Sequence, residues 1–398
     1  MQKRFTPDAG GVFPEWEEIE FGKLFQRRSE KNGEEFGVDK TISVATMHFK
    51  PEGNKADEKS LPKYKVMRTG DIAFEGHINK HFKHGRFVLN DIGDGIISPI
   101  FEVLQPVSEL SKEVPGFWKY YINYEPVMGK ILAKCANTGI MMNRLTIKDF
   151  YKQKIKVPCI EEQRKIAAAL AAYDEMIAVK TAKLETWQEC KKRMVKEIFG
   201  RTKRFKDDDG REFPEWEEKT LGEVAEINPA SAESLPETFY YMDLGSIDSG
   251  IWTEKRLIDK KSAPSRAQRI AQQDDVFFQS VRPLNKDHYH YTKKADKSVV
   301  ASTGFIQLRI KNGSNAFLYQ LLYEDNFNKE VRKYMTGSNY PAINTTSLSK
   351  IKIMVPCMEE QQKIGSFLSE IDKEIQIEKE FVKTYAEGKK RMMRELMA

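Results

Sequence analysis

The sequence of 398 residues repeats itself once, at a spacing of about half its length. Phe-Pro-Glu-Trp-Glu-Glu occurs at 13–18 and 213–218, Val-Pro-Cys at 157–159 and 355–357, and Lys-Lys-Arg-Met at 191–194 and 389–392. This period is far longer than the roughly 20–50 residues of a solenoid repeat. The chain therefore consists of two copies of a whole domain, each followed by a helix.

A long helix is predicted after each Val-Pro-Cys segment. Pro158 and Pro356 end strand-like runs, and the two glutamates that follow suit a helix N-terminus. Apolar residues then recur at alternating steps of four and three residues: Ile166, Leu170, Tyr173, Ile177, Leu184, Trp187, Met194 and Ile198, then Ile364, Leu368, Ile371, Ile375, Val382, Tyr385, Met392 and Leu396. Each pattern predicts a helix of about 40 residues, which is about 60 Å long. This heptad pattern favours a coiled coil over two core helices that are each covered by their own domain.

One polar position interrupts the apolar pattern at matched places in the two helices. Lys180 in the first helix corresponds to Glu378 in the second, and both lie near mid-helix. Unequal charges in one layer fix the register of a coiled coil. We therefore predict that reversing the charge of Lys180 alone loosens the pair and that reversing both charges restores it. A double reversal no more stable than the single one, measured by thermal unfolding, would contradict this hypothesis.

The segments 13–157 and 213–355 have the mixed pattern of α+β domains, with short β-rich runs at 70–74 and 274–278 between turn residues. Their sequences diverge strongly inside a shared frame, which suggests two modules of one kind with different targets. The predicted divisions are domain 1 at 1–158, helix 1 at 159–200, domain 2 at 201–356 and helix 2 at 357–398.

Basic residues concentrate in the two modules. The whole chain has 65 Lys and Arg against 59 Asp and Glu, a net charge of +6. Residues 55–86 contain eight basic and four acidic residues, and residues 255–297 contain eleven and five, so the two stretches together carry +10. Arg and Lys suit phosphates and guanine edges, whereas Asn and Gln suit adenine edges. The pattern indicates nucleic-acid binding, and solvated charged loops are the alternative.

Motifs for catalysis are missing from the sequence. It contains no P-loop, no HExxH, no GxSxG and no Asx-Pro-Pro-aromatic tetrapeptide. The four cysteines form no CxxC pair, which favours a reducing cytoplasm. His77, His81 and His84 would share one face of a helix as metal ligands, but the second copy has no equivalent. We expect no bound metal, no membrane span and no secretory signal, and the chain is interpreted as a binding protein without its own chemistry.

The repeated segments are similar to those of the specificity (S) subunit of type I restriction-modification enzymes, over essentially the whole chain. Residues 157–166 and 355–364 resemble the strand-to-helix junctions of this family, 274–283 resembles a strand and turn of its target-recognition domains, and 336–343 resembles a loop preceding the conserved helix. The first copy departs from this pattern: 138–145 keeps Thr-Gly but lacks Ser and Pro, and 70–76 lacks Arg-Pro.

The resemblance implies two target-recognition domains that each read one half of a bipartite site in double-stranded DNA. The helices would pair as an antiparallel coiled coil within a pseudo-two-fold repeat, and they would set the half-site spacing, which is about 34 Å per DNA turn. They would also recruit two modification (methyltransferase) subunits, and the assembly would bind restriction (translocase and nuclease) subunits. S-adenosylmethionine, ATP and Mg would be cofactors of those partners only, in a prokaryotic cytoplasm.

The predicted DNA-binding residues come from the basic and polar loops of both copies. In the first domain they are Lys80, His81, Lys83, Arg86 and Arg144. In the second they are Gln279, Ser280, Arg282, Asn285, Lys286, His288, His290, Lys293, Ser338, Asn339 and Tyr340. Two alternatives stay open: the recognition subunit of a type II-like restriction-modification system, and a coiled-coil scaffold with peptide-binding modules that does not bind DNA.

Overall fold

The computed structural model describes residues 4–50, 58–137, 139, 142–230 and 234–397. Of the segments named above, residues 1–3, 51–57 and 231–233 and Thr138, Ile140, Met141 and Ala398 lie outside the described residues. The chain forms two compact units. Unit 1 comprises Met1–Lys180 and Phe381–Ala398, and unit 2 comprises Thr181–Glu380. Each unit thus holds one α+β domain and about half of each long helix.

Unit 1 is built on a four-stranded antiparallel sheet in the order β2-β9-β6-β7. Its strands are β1 Glu17–Glu20, β2 Phe25–Arg27, β3 Ile42–Ser43, β4 His48–Phe49, β5 Lys65–Met67, β6 Ile72–Glu75, β7 Arg86–Leu89, β8 Gly95–Ile97, β9 Glu102–Pro106, β10 Ala136–Asn137, β11 Arg144–Leu145 and β12 Lys154–Val157. Its helices are α1 Phe21–Leu24, α2 Glu109–Lys112, α3 Pro115–Tyr121, α4 Glu125–Cys135, α5 Ile147–Tyr151 and the start of α6 Ile160–Phe199.

Unit 2 repeats this sheet as β14-β23-β20-β21 and adds a second sheet, β18-β15-β22-β19, in which β15 and β22 run parallel. Its strands are β13 Glu217–Thr220, β14 Ala225–Ile227, β15 Thr238–Met242, β16 Ile247–Asp248, β17 Ile251–Trp252, β18 Arg256–Asp259, β19 Ala267–Ile270, β20 Val276–Gln279, β21 Tyr289–His290, β22 Val299–Ser302, β23 Phe305–Ile310 and β24 Lys352–Val355. Its helices are the end of α6, α7 Leu221–Val224, α8 Asn315–Leu321, α9 Asp325–Tyr334, α10 Thr345–Ser349 and the start of α11 Met358–Met397, whose end belongs to unit 1.

The first and last strands of each domain pair with each other. Glu17 lies opposite Val157 in the β1–β12 pair, and Glu217 lies opposite Val355 in the β13–β24 pair. The chain therefore enters each domain beside the strand by which it leaves for the long helix. This pairing explains why the segments at 13–18 and 157–159 recur together in the second copy.

The two long helices run antiparallel, which confirms the predicted architecture. In unit 1 the rings of Tyr173 and Tyr385 lie 6.4 Å apart, and Lys389 Nζ donates to Asp174 at 2.5 Å. In unit 2 Lys191 Nζ donates to Asp372 at 2.6 Å. Residues later in α6 therefore contact residues earlier in α11, as expected for antiparallel helices.

The helix ends and the helix middles pack differently. Ile166 and Leu170 belong to the core of unit 1, and Ile364 and Leu368 belong to the core of unit 2. Seam residues nearer mid-helix, such as Leu184, are only half-buried. The coiled-coil interpretation and the core-helix interpretation of the heptad pattern are therefore both partly right. Each helix packs into a domain core near its ends, and it pairs with the other helix as a coiled coil near its middle.

Close packing of a long helix on its domain requires one small residue. A Cβ on Gly365 of α11 would lie 2.7 Å from the backbone nitrogen of Phe317 and 2.9 Å from Ala316 Cβ. In unit 1 the roles are exchanged, because Gly116 faces Ala167. Among the described residues, no helix is long and apolar enough to cross a membrane.

Candidate nucleic-acid interface

Three of the predicted contact residues of unit 2 come together at the end of β20. The Arg282 guanidinium lies 4.6 Å from the centre of the Tyr340 ring and donates to the Asn339 carbonyl at 3.3 Å. Backbone bonds hold the two loops together, since Arg282 N donates to Pro341 O at 2.7 Å and Ile343 N donates to Ser280 O at 3.0 Å. Arg282 and Tyr340 are both exposed, with Tyr340 at 68%.

The backbone of this loop is strained at two basic residues. Arg282 has φ 52° and ψ 53°, and Lys286 has φ 61° and ψ 32°, both in the left-handed region. Such a conformation costs a non-glycine residue about 1–3 kcal/mol and concentrates at functional sites. Asn285 and Lys293 are also exposed, whereas Lys286 is half-buried and its Nζ donates to Tyr323 O at 3.2 Å. Ser338 lies exposed beside Asn339.

Three other predicted contact residues of unit 2 are buried in the domain. His288 is fully buried, stacks on Phe278 at 4.6 Å, and its Nδ1 accepts from Gln279 N at 3.1 Å. Burial, aided by the charge of Lys286, lowers its pKa from 6.5 to about 3, so the ring is neutral. Gln279 and Ser280 are also buried.

The prediction that His288 contacts DNA does not fit this burial. His290 is also turned inward, because its Nε2 lies 2.6 Å from Asp274 Oδ1 and its side chain is only 8% exposed. A neutral imidazole can occupy either a buried or an exposed position. The residue type alone therefore did not show whether these histidines are buried or available to contact DNA.

In unit 1 the corresponding loop follows β6. Lys80, His81 and Lys83 are exposed on it. Arg86 is half-buried and is held on the domain, since its Nε donates to Glu75 at 2.6 Å and its guanidinium lies 5.2 Å from the centre of the Phe82 ring.

The loop of unit 1 is tied down as in unit 2, with different side chains. Asn143 N donates to Gly76 O at 2.8 Å, which places the exposed Arg144 beside the loop. A Cβ on Gly76 would lie 2.0 Å from Asn143 O, so only glycine permits this approach. The sequence had shown that the Arg-Pro pair is missing here, and the structure shows which contact replaces it.

His77, His81 and His84 do not share the face of a helix, the arrangement that their spacing would allow. Residues 76–85 form no helix, and His77 is 59% exposed. Among the residues that the structure describes, no group of three or more His, Cys, Asp or Glu side chains is placed to bind a metal ion.

Both copies contain a buried ion pair that was not predicted from the sequence. The second glutamate of the helix N-terminus, Glu162, accepts from Arg4 at 2.7 Å and from Trp16 Nε1 at 3.1 Å. Glu360 accepts from Arg204 at 2.8 Å and from Trp216 Nε1 at 3.0 Å. The recurrence of Arg-Phe at 4–5 and 204–205 was the available signal. This pair joins the domain entry to the long helix, which accounts for the repeated tryptophan.

A second repeated contact joins each domain to both helices. In unit 1 Asp174 accepts from Lys389 at 2.5 Å and from the Tyr120 hydroxyl at 2.7 Å. In unit 2 Asp372 accepts from Lys191 at 2.6 Å and from Gln320 at 2.7 Å. The first lysine of each Lys-Lys-Arg segment is therefore a structural residue.

The predicted register pair has nearby partners within each unit. Lys180 Nζ lies 4.2 Å from the centre of the Phe381 ring, and Glu378 accepts from Lys183 at 2.6 Å. Glu378 is buried, as a register residue in a seam would be. The proposed coupling of Lys180 to Glu378 stays a prediction.

The sequence matches the model of the type I restriction modification DNA specificity domain over residues 103–186 and 214–383, and the chain belongs to this family. The type I restriction enzyme MjaVIII specificity subunit of Methanocaldococcus jannaschii is 25% identical over 318 residues, 76% of this chain and 73% of that protein. The putative MjaX specificity subunit of the same organism is 24% identical over 399 residues, 96% of this chain and 90% of that protein.

Two solved structures share the fold. The type I restriction-modification S subunit from M. genitalium covers 99% of both chains with a TM-score of 0.63 and 17% identity. A chain from a structure of type I R-M complex assembly and conformational transition covers 97% of this chain and 98% of its own, with a TM-score of 0.51 and 20% identity. These two structures show a shared fold, and the match to the family model confirms the predicted family.

Proposed function

We propose that this chain is the DNA-recognition subunit of a type I restriction-modification complex and that each domain reads one half of a bipartite site. The observation that carries the proposal is the equivalent loop in each unit. A backbone bond at the end of β6 or β20 ties two segments together, and exposed basic side chains project from them: Arg282 with Tyr340 in unit 2, and Lys80, Lys83 and Arg144 in unit 1.

The two loops differ in the chemistry that they offer to DNA. The guanidinium of an arginine holds its donors in one plane, and the contact with the Tyr340 ring restrains the direction of that plane in Arg282. Such a fixed, planar set of donors suits the two acceptors of a guanine edge. The unit 1 loop offers two lysines and a histidine, which suit phosphates and single acceptors, with Arg144 exposed beside it. Different half-sites for the two domains follow from this difference.

The long helices would set the half-site spacing and carry the surfaces for two methyltransferase subunits and for the restriction subunits. Methyl transfer from S-adenosylmethionine and ATP-driven cleavage would be the work of those partners, and this chain would contribute no catalytic group. That division of labour agrees with the absence of catalytic motifs from the sequence.

Arg282→Ala tests the proposal. In a complex with its methyltransferase subunits, this variant should lose about 10- to 100-fold in affinity for one half-site, because a bidentate base contact is worth about 1–3 kcal/mol. Mapping of methylated adenines should show relaxed sequence preference in that half only.

Arg211→Ala is the matched control. Arg211 is exposed in the same unit and pairs with Asp207 on the turn before β13. This variant should methylate the same sites as the unaltered chain. If Arg282→Ala also leaves both half-sites unchanged, Arg282 is not a base contact and the proposed role of this loop is wrong.

A further inference from the structure

In the repeated Lys-Lys-Arg segment of α6, only the first lysine makes the structural bond described above. Lys191 is half-buried and bonded to Asp372, but Lys192 is exposed, as is Lys196 one turn later. Both line a cavity of about 860 Å³ within unit 2, between the last turns of α6, the start of α9 and the turn after Arg282. We call this cavity the basic groove and define it by Lys192, Lys196, Asn285, Lys286 and Lys329.

The basic groove has an excess of positive charge. Six basic side chains and four carboxylates line it. Asp372 is bonded to Lys191, Glu197 lies 4.0 Å from Arg193, and Glu324 accepts from the Phe327 backbone nitrogen at 2.5 Å. The fourth carboxylate, Asp325, is exposed at the start of α9. Within the described part of the chain, Lys192 and Lys196 have no hydrogen-bond or ion-pair partner, and Lys329 reaches Asn326 Oδ1 at 3.3 Å. Three ammonium groups therefore surround a concavity that suits an anionic ligand.

The groove is continuous with the candidate DNA-reading loop. Asn285 and Lys286 line the groove and belong to the turn that begins at Arg282, where Asn285 N donates to Arg282 O at 3.0 Å. A ligand with regularly spaced anionic groups that is bound at this loop and extends into the groove would therefore contact the lysines of α6. The sugar-phosphate backbone of a DNA duplex is such a chain.

We propose that Lys192, Lys196 and Lys329 bind the DNA backbone beside the second half-site, so that the end of α6 is part of the DNA interface as well as a spacer. This inference rests on the proposed function. Unit 1 has basic residues at the equivalent places on α11, because Lys390 and Arg394 stand 198 residues after Lys192 and Lys196 and are also exposed. The same role at the first half-site follows for that pair.

The test is the salt dependence of DNA binding by the triple variant Lys192→Gln, Lys196→Gln and Lys329→Gln, in the complex with methyltransferase subunits. The probes are a duplex with the mapped methylation site and one with both half-sites scrambled. Each phosphate contact contributes about 0.9 to the slope of log affinity against log salt, so the slope should fall by about 3. Between about 50 and 200 mM salt, the affinity should change about 40-fold less than for the unaltered complex. Affinity for both duplexes should fall by the same factor.

The control variant is Lys219→Gln, Lys352→Gln and Lys373→Gln, which removes three exposed lysines of unit 2 outside the groove and should retain the slope. An unchanged slope in the groove variant, with Arg282→Ala still relaxing one half-site, would overturn this inference and leave the proposed function standing. Weaker recovery of methyltransferase subunits at an unchanged slope would assign the groove to a protein partner and would also overturn it. Failure of the unaltered complex to prefer the mapped duplex would overturn both proposals.

Discussion

Glu360→Ala is expected to lower the free energy of unfolding of unit 2 by about 2–4 kcal/mol. Removing one partner of a buried ion pair costs about 3–5 kcal/mol because the other charge stays behind unpaired, and we reduce this value because Arg204 retains 19% exposure. Trp216 Nε1 would lose its acceptor as well. Hydrogen exchange can follow the two units separately and should show faster exchange at the start of α11.

Glu359→Ala is the matched control, since Glu359 is the exposed neighbour of Glu360 on the same helical turn. Its effect should stay within about 0.5 kcal/mol, as for most surface substitutions. Glu162→Ala should reproduce the Glu360 result in unit 1 and leave unit 2 unaffected. Equal exchange in the Glu359 and Glu360 variants would show that the buried pair does not stabilise the junction.

The helices and the strands beside them could be predicted because their signals are local. The heptad pattern and Pro158 define α6 to within a few residues, and the β-rich run at 274–278 became β20. Burial of the two glutamates could not be predicted, because their partners Arg4 and Arg204 lie more than 150 residues away in the sequence. Acidic residues at a helix N-terminus are most simply explained by the helix dipole.

The candidate site was predictable at the level of segments rather than of side chains. The segments 279–286 and 336–343 do meet, and Arg282 stacks on Tyr340. The strand register determines which basic or polar residues face outward, and this register could not be predicted from the sequence. In the β20–β21 pair Phe277 lies opposite Tyr289, which turns His288 inward onto Phe278. The same register in unit 1 places Phe87 opposite Phe74.

The burial of His288 predicts a loss of stability in mild acid. Above pH 6.5 the imidazole is neutral in both the folded and the unfolded chain. As the pH falls below 6.5, the unfolded chain binds a proton first, because the folded pKa is only about 3. Stability contributed by the neutral ring is therefore present above about pH 6.5 and is lost progressively towards pH 3. At pH 5 the loss should reach about 2 kcal/mol, at about 1.4 kcal/mol for each pH unit.

His288→Phe removes this proton linkage while keeping a ring of the kind that unit 1 has at Phe87. At pH 7 the variant loses the acceptor of Gln279 N, which costs about 1–3 kcal/mol. It also removes the buried His288 Nε2, which has no hydrogen-bond partner among the described residues, so the net loss of stability relative to the unaltered chain should be smaller than that cost. Between pH 7 and pH 5 that difference should shrink by about 2 kcal/mol, measured by denaturant unfolding at each pH. The control is His77→Phe on the exposed loop of unit 1, which should retain the acid sensitivity of the unaltered chain. A constant difference between the unaltered chain and His288→Phe across this range would mean that His288 takes up its proton in the folded state, and the neutral buried ring would then be wrong.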